Sequence, residues 1–278
     1  MTEIRVPGFD AVELLGYGSQ GEVWLAREHA TGEPVALKRL LAGADLAARD
    51  RLRREAAVLA GVDHPHVLRL RSVVGAGPDL VLVLDLATGG SLARLLATRG
   101  RLSPGEVVTV AVPLAEALAA VHAQGVVHGD VTPANVLFTG DGRPVLSDLG
   151  VARLLGAADP VRAGTAGYAD PAAAGPTGRG PASDVHGLAA TCFAALAGHP
   201  PYDDDGRRLP AAAGAGPLLD VLERALSPDP ADRPAASELA ALVFDAVRPV
   251  PVGMDHTGST PWAGQPGSSP SPGQTPTH

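Results

Sequence analysis

The first forty residues alternate apolar and polar positions in three short runs, FDAVELLGYG, GEVWLAREH and EPVALKRLL, within residues 9–41. Alternation with period two predicts β-strands that bury one face, and the glycine-rich and polar breaks between runs predict hairpin turns. The pattern becomes helical over Asp45–Ala60, where Leu52 and Leu59 fall on related faces, and DHPHVLRL stops it at Pro65. DLVLVLDLA, residues 79–87, is an apolar run bounded by Gly/Pro on one side and TGGS on the other. It predicts a buried strand feeding a linker, and hence a join between two lobes.

Helical patterns follow the linker. SLARLLATRG (91–100) reads as a short helix, with Ser91 as N-cap and Gly100 beyond its end. The stretch 103–125 reads as a long helix: Ser103 at the N-cap, Pro104 in the first position, Glu106 closing a capping box, and Pro113 as a kink point. A hairpin (VLF, TGDGRP, VLS) and a Gly/Ala-rich loop up to GTAGYADP come next. An apolar helix opened by Ser183 and Asp184 follows, then two helices around a proline-rich turn. From Arg248 the chain turns to Pro, Gly, Ser and Thr without apolar periodicity, which predicts a disordered tail over 249–278.

Composition narrows the picture. Hydrophobic residues make up 45% but aromatics only 3%, so the core must be Ala, Val and Leu with close backbone approaches. The net charge of −8 argues against nucleic acid or an anionic membrane as the main partner. The lone cysteine, Cys192, excludes a disulfide framework. The N-terminal MTEIRVPGFD lacks a signal-peptide pattern, and the apolar stretches Val185–Gly198 and Val107–Val121 look too short or too broken to span a bilayer. A cytoplasmic protein with no membrane span is expected.

The candidate chemistry centres on HGDVTPANVL, which places Asp130 and Asn135 in one short loop, and on SDLG, which brings Asp148. A base for an acceptor hydroxyl plus oxygen ligands for Mg²⁺ is what phosphoryl transfer requires. Each fragment alone is ordinary, since an Asp in a turn is usually solvated or a cap. Gly16, Gly18 and Gly21 lie in GYGSQG, with Val23 after them. β-like residues follow the third glycine, which favours a hairpin flap over phosphates rather than a dinucleotide site; a flexible hairpin without ligand has the same pattern. Lys38, between Ala36 and Leu40 on a buried strand, needs a counter-charge or a phosphate. Glu55 is the candidate partner, although it could equally pair with Arg51 on its own helix.

Taken in order, these segments resemble the eukaryotic-type (Hanks-type) serine/threonine protein kinases in the Ala/Gly/Pro-rich style of actinobacterial members. The resemblance covers residues 9–248 and rests on the order of the glycine loop, VALK, the helix Glu, HGD with its loop Asn, DLG, GTxGY, SDV and DPxxRP. It implies an α+β bilobal fold: a β-rich N-lobe with one helix (9–84), a hinge (85–90) and a mainly α-helical C-lobe (91–248), after an N-terminal extension (1–8). It further implies that Gly16, Gly18 and Gly21 cover the ATP phosphates and that Lys38, held by Glu55, contacts them. Val23, Ala36 and Leu137 would sandwich the adenine, Leu84 would be the gatekeeper, and backbone groups of Asp85 and Ala87 would bind the ring edge. Asp130 would orient the acceptor hydroxyl, and Asn135 and Asp148 would hold Mg²⁺. Leu59, Leu70, Leu149 and His128 would stack as a column tied down by Asp184.

Four departures from the family pattern carry expectations of their own. Gly129 stands where an Arg is expected, and Thr165 is the only hydroxyl between Leu149 and Gly167, so activation-loop phosphorylation should not switch the protein on. Thr132 replaces the lysine that follows the catalytic Asp, which predicts slow turnover. Ala169-Asp170-Pro171-Ala172 lacks the usual Glu, leaving Arg233 without its expected partner, so either Asp170 or solvent exposure must compensate. The stretch from Tyr202 to Asp229 leaves little room for a substrate-docking helix. The resemblance thus implies an ATP- and Mg²⁺-dependent kinase acting on Ser/Thr of proteins. A nucleotide-binding pseudokinase is the alternative, with small-molecule phosphotransfer behind it.

Overall fold

The computed structural model describes residues 4–18, 21–40, 56, 58–76, 79–149, 167–174, 179–203, 205–211 and 216–254. The alternating runs form a five-stranded antiparallel sheet in the order β1-β2-β3-β5-β4, from β1 (Phe9–Gly18), β2 (Gly21–Glu28), β3 (Pro34–Leu40), β4 (Leu70–Ala76) and β5 (Asp79–Leu84). Both faces of β3 are buried. Ala36 and Leu40 face a core with Val23, Leu82 and Leu84, whereas Val35 and Leu37 face another with Trp24, Val81 and Val83. Ile4 and Val6 complete that second core, so part of the expected N-terminal extension packs on the back of the sheet.

Residues 56 and 58–60 are helical, in line with the expected N-lobe helix. Leu59 packs against both the N-lobe core that contains Leu70 and the C-lobe core that contains Leu149, and so bridges the lobes.

The second lobe contains α1 (Leu92–Arg99), α2 (Pro104–Ala123), a two-stranded hairpin of β6 (Val136–Phe138) and β7 (Pro144–Leu146), α3 (Pro181–Ala197), α4 (Gly216–Ala225) and α5 (Ala236–Ala246). A β-rich lobe is followed by a helical one, the α+β bilobal architecture that the resemblance implies. Ser91 accepts from Arg94 N, and Gly100 ends α1 with a positive φ of 77°. Ser103 and Glu106 form the expected capping box, and α2 continues as one helix past Pro113.

By length and composition α2 could cross a membrane, but 56% of that window is buried. Burial, not insufficient length, marks it as a core helix: Leu114, Ala117, Leu118 and Val121 are fully enclosed, and α2 packs against α3 and α5. The scarcity of aromatics has the expected consequence of close approach. In α3, a Cβ on Gly187 would come within 2.9 Å of the Val131 carbonyl oxygen, so this glycine lets the HGD loop lie directly on the helix. Cys192, inside α3, has its thiol pushed up to about 12 by complete burial and is unreactive.

Residues 249–254, which composition assigned to the tail, run against α2. Val250 N donates to Gly105 O at 2.9 Å, Thr109 Oγ1 to Val250 O at 2.7 Å, and Gly253 N to Glu106 Oε1 at 3.1 Å. Residues 255–278 lie outside the described residues.

Candidate functional site

The loop after α2 is suspended from α3. Asp184, in the first turn of α3, accepts from the backbone N–H of His128 at 2.8 Å and of Gly129 at 2.7 Å, while His122 Nε2 lies 2.8 Å from its Oδ2. An acid in a helix first turn is favoured by the dipole, and here it spends its lone pairs on a loop whose N–H groups no strand pairs. Gly129 bends the chain there with φ of 80°.

The hairpin that follows brings the second carboxylate back to the first. Asn135 O accepts from Ser147 N at 2.8 Å and from Ser147 Oγ at 3.1 Å. On its other side the Ser147 carbonyl lies 2.8 Å from His128 Nε2. Ser147 is therefore gripped from both ends of the HGD loop, and Asp148 is carried beside it. Asn135 Nδ2 donates to the Asp130 carbonyl at 2.8 Å and to its Oδ2 at 3.1 Å, which turns the Asn135 side-chain oxygen away from Asp130. Burial pushes the Asp130 carboxyl up from its ordinary value. His128, the Asn135 hydrogen bond and Arg179 draw it back down, and Asp148 raises it further.

Lys38 meets this pair from the other lobe. Its Nζ lies 2.6 Å from Asp148 Oδ2, with the two side chains 3% and 9% exposed. Asp148 adopts φ of 62°, the left-handed region, alone in this respect among the described non-glycine residues. Its Oδ1 is buried without a hydrogen-bond partner. An orphaned carboxylate oxygen at this depth is costly unless a cation or donor meets it.

Above the carboxylates an apolar surface crosses the lobes. Val23, Ala36, Leu84, Ala87 and Leu137 belong to one cluster, so the residues implied for the adenine site come together. β-pairing sets this: Ala36 is opposite Leu84 and Lys38 opposite Val23. The linker is tied to the C-lobe by Gly89 N donating to Phe138 O and Phe138 N to Gly90 O, both at 2.8 Å. Asp85 N donates to Arg69 O at 3.0 Å, so of the backbone groups implied for the ring edge this one is already spent within the protein.

Over the mouth, Gly18 pairs with Gly21 at the hairpin end, with Gly16 opposite Val23. Gly21 has φ of 125°, and a Cβ there would lie 2.0 Å from the Arg39 carbonyl oxygen. Its lack of a side chain is thus required by β3 itself, next to Lys38, and not by ligand approach alone.

Glu55 and Thr165 lie outside the described residues; Lys38 does make a further interaction beyond Asp148. Thr132 is buried, and its hydroxyl has no partner. Of the two compensations open to Arg233, the structure has the first: Asp170 takes its guanidinium in a bidentate pair buried away from solvent. Sequence reasoning missed two further residues at the site. Leu15, one position before the first loop glycine, joins the apolar cluster, and its alternation within β1 was the available signal. Arg179 donates to Gly129 O at 2.9 Å from far along the chain, and no local pattern marks it.

The protein kinase domain family matches residues 9–244. The chain belongs to the protein kinase family. Among its relatives, "Serine/threonine-protein kinase PkaA" of Streptomyces coelicolor is 36% identical over 262 residues, covering 82% of this chain and 48% of that protein. PkaB of the same organism, also named a serine/threonine-protein kinase, is 37% identical over 273 residues (88% and 64%). "Serine/threonine-protein kinase PknK" of Mycobacterium tuberculosis is 34% identical over 276 residues (91% and 25%). The chain thus spans between a quarter and somewhat under two thirds of these relatives' lengths. The bilobal arrangement described above is the kinase fold of this Hanks-type group.

Proposed function

We propose that this kinase domain transfers the γ-phosphoryl group of ATP to Ser/Thr hydroxyls of proteins with the help of Mg²⁺. One observation carries the reading: the Lys38–Asp148 pair at 2.6 Å, with Asp148 Oδ1 buried and unpartnered beside the Asp130–Asn135 couple. The residues fit the implied cation. Among the described residues no group of three or more His, Cys, Asp or Glu could hold a metal alone. Mg²⁺ characteristically takes one or two protein oxygens and completes its shell with phosphate and water. Asp148 and Asn135 would hold it, and when bound it would neutralise charge on the nucleotide phosphates.

The chain's own groups do the remainder. Val23, Ala36, Leu84, Ala87 and Leu137 exclude water and place a flat aromatic base, while Gly16, Gly18 and Gly21 offer backbone N–H groups over the phosphates. Lys38, desolvated on β3, offers its ammonium to an anion in the cleft. Asp130, oriented by Asn135, accepts a hydrogen bond from the acceptor hydroxyl and aligns it, so the protein's contribution is largely positioning.

Gly129 and Thr132 supply no charge near the acceptor, and for a single transition-state donor such a loss is on the order of 10²–10³ in rate. Slow transfer that does not depend on activation-loop phosphorylation is therefore part of the proposal, as is a cytoplasmic setting. Transfer of labelled phosphate from ATP to a generic protein substrate, compared with Asp130→Asn, is the test. Nucleotide binding without Asp130-dependent transfer would make the domain a pseudokinase; transfer to small molecules with none to protein would move it to another substrate class.

A further inference from the structure

Beside the acceptor site lies a small cavity lined by Gly129, Asp130, Thr132, Tyr168, Arg179 and Ser183, among others. Among the described residues that line it, Arg179 is the one Lys or Arg. Arg179 stands just before α3 in sequence, far from the HGD loop, yet its Nη1 donates to the carbonyl of Gly129, the residue preceding Asp130, at 2.9 Å. Thr132 contributes to the same cavity a side chain 3% exposed whose hydroxyl has no partner.

These facts set an electrostatic problem. Asp130 and Asp148 bring two acidic side chains to the site, and a phosphoryl group in flight spreads negative charge over its oxygens. Lys38 pairs with Asp148 from the other lobe, and HGDVTPANVL contains no Lys or Arg of its own. A cation reaching the loop from another element answers that need. In a water-poor site a fixed charge a few ångströms away counts for far more than in solvent.

We propose that Arg179 is a positioning residue for phosphoryl transfer that supplies, from the segment ahead of α3, the positive charge missing from the HGD loop, with the Thr132 hydroxyl as the adjoining donor. This rests on the kinase reading and deepens it. Anchorage to the Gly129 carbonyl holds the guanidinium against the loop, where it lines one cavity with Asp130 and Thr132. The orphaned Thr132 hydroxyl then has a purpose: it meets an oxygen of the acceptor or of the transferring group.

Two readouts test it on the full chain. In the first, Arg179→Gln should lower kcat for protein phosphorylation by about tenfold to 100-fold with KM for ATP unchanged, and Arg179→Lys should recover most of the loss. Adding Thr132→Lys to Arg179→Gln should also recover rate, because it places a charge on the loop. In the second, which needs no turnover, ADP with Mg²⁺ is titrated with and without aluminium fluoride, a mimic of the planar phosphoryl group. The fluoride-dependent gain in affinity should fall at least about tenfold in Arg179→Gln, with ADP affinity alone unchanged. A gain of equal size in wild type and variant overturns the proposal. So does Arg179→Lys behaving like Arg179→Gln, which would mark a purely structural anchor. If the wild type transfers no phosphate in an Asp130-dependent way, the kinase reading fails, and the aluminium fluoride titration still decides the role of Arg179.

Discussion

Arg233 donates both prongs of its guanidinium to Asp170, Nη1 to Oδ2 and Nη2 to Oδ1, each at 2.8 Å, with the two side chains 0% and 3% exposed. Ser183 Oγ adds a third donor at 2.7 Å, and Ala172 N a fourth at 2.9 Å. Burial alone would raise the Asp170 carboxyl, but these donors outweigh it and hold the group below its ordinary value. The pair joins the segment before the 3₁₀ turn Pro171–Ala174 to the turn Pro230–Asp232 and to the start of α3. Asp170→Ala leaves a buried guanidinium without its counter-charge and should cost about 3–5 kcal/mol, measured by urea denaturation. Arg233→Ala should cost a similar amount, and the double variant much less than the sum.

Two glycines with positive φ should respond very differently to alanine. At Gly129 the added Cβ meets nothing within 4 Å, so only the left-handed backbone resists, at about 1–2 kcal/mol. At Gly21 the same atom would lie 2.0 Å from the Arg39 carbonyl oxygen and cannot be accommodated without moving β3. Gly21→Ala should therefore cost more than about 3 kcal/mol, combining backbone strain with a clash. It should also weaken nucleotide binding, because Lys38 shares that strand; comparing the two variants by denaturation and nucleotide titration checks both points.

What could be read in advance follows from how local each signal is. The strands, the capping box of Ser103 and Glu106, and the helix stop at Gly100 are set by neighbours within a few residues, and all occur. The site residues from Lys38 to Asp148 lie in short motifs whose order was legible, although their convergence depends on Ser147 being gripped by Asn135 and His128. Asp170 could be named for Arg233 only as one option beside solvent exposure, and the Arg179–Gly129 contact was not legible at all. Each contact joins residues far apart in sequence, and an Asp or Arg in a loop has no periodicity to betray its partner. Residues 249–254 escaped for a related reason: their composition is that of a linker, and they are held by scattered contacts, from Thr109, Glu106 and Arg99 to their backbone and from Val252 and Met254 to the core, that no period announces.

The Lys38–Asp148 pair separates stability from catalysis. Lys38→Met leaves a buried carboxylate without its lysine and should lower stability by a few kcal/mol. Adding Asp148→Asn removes the stranded charge, so stability should partly return. Activity should not return: phosphate transfer should stay at least about 10²-fold down in either single variant and in the double. A double variant that regains transfer along with stability would show that the pair is a strut and not part of the phosphoryl-transfer machinery.

Acid should destabilise the domain in two stages, the first set by His186 and the second by Glu106 together with Asp170. His186 is fully buried in α3, stacked on Tyr202 at 5.8 Å, and burial lowers it to about 4 from an ordinary 6.5; Asp170 opposes this, and Arg233 and Arg208 add to it. Because the folded state keeps the ring neutral, its stabilisation is complete above about pH 6.5 and is lost as pH falls through about 4. Glu106 is held at about 2 from 4.5 by Arg99 first, against burial, and then by Ser103 and Gly253. Its contribution is complete above about 4.5 and is lost towards pH 2, so the second stage begins where the first ends. His186→Phe removes the titrating group while keeping a ring against Tyr202, and should flatten stability between pH 6.5 and 4. Glu106→Gln should leave that window unchanged and cost roughly 1–2 kcal/mol at neutral pH, since Arg99 is partly solvated. Urea unfolding of the wild type and both variants at about pH 7, 5.5, 4 and 3 resolves the two contributions, and an unchanged slope between pH 7 and 4 in His186→Phe would assign the first stage to another group.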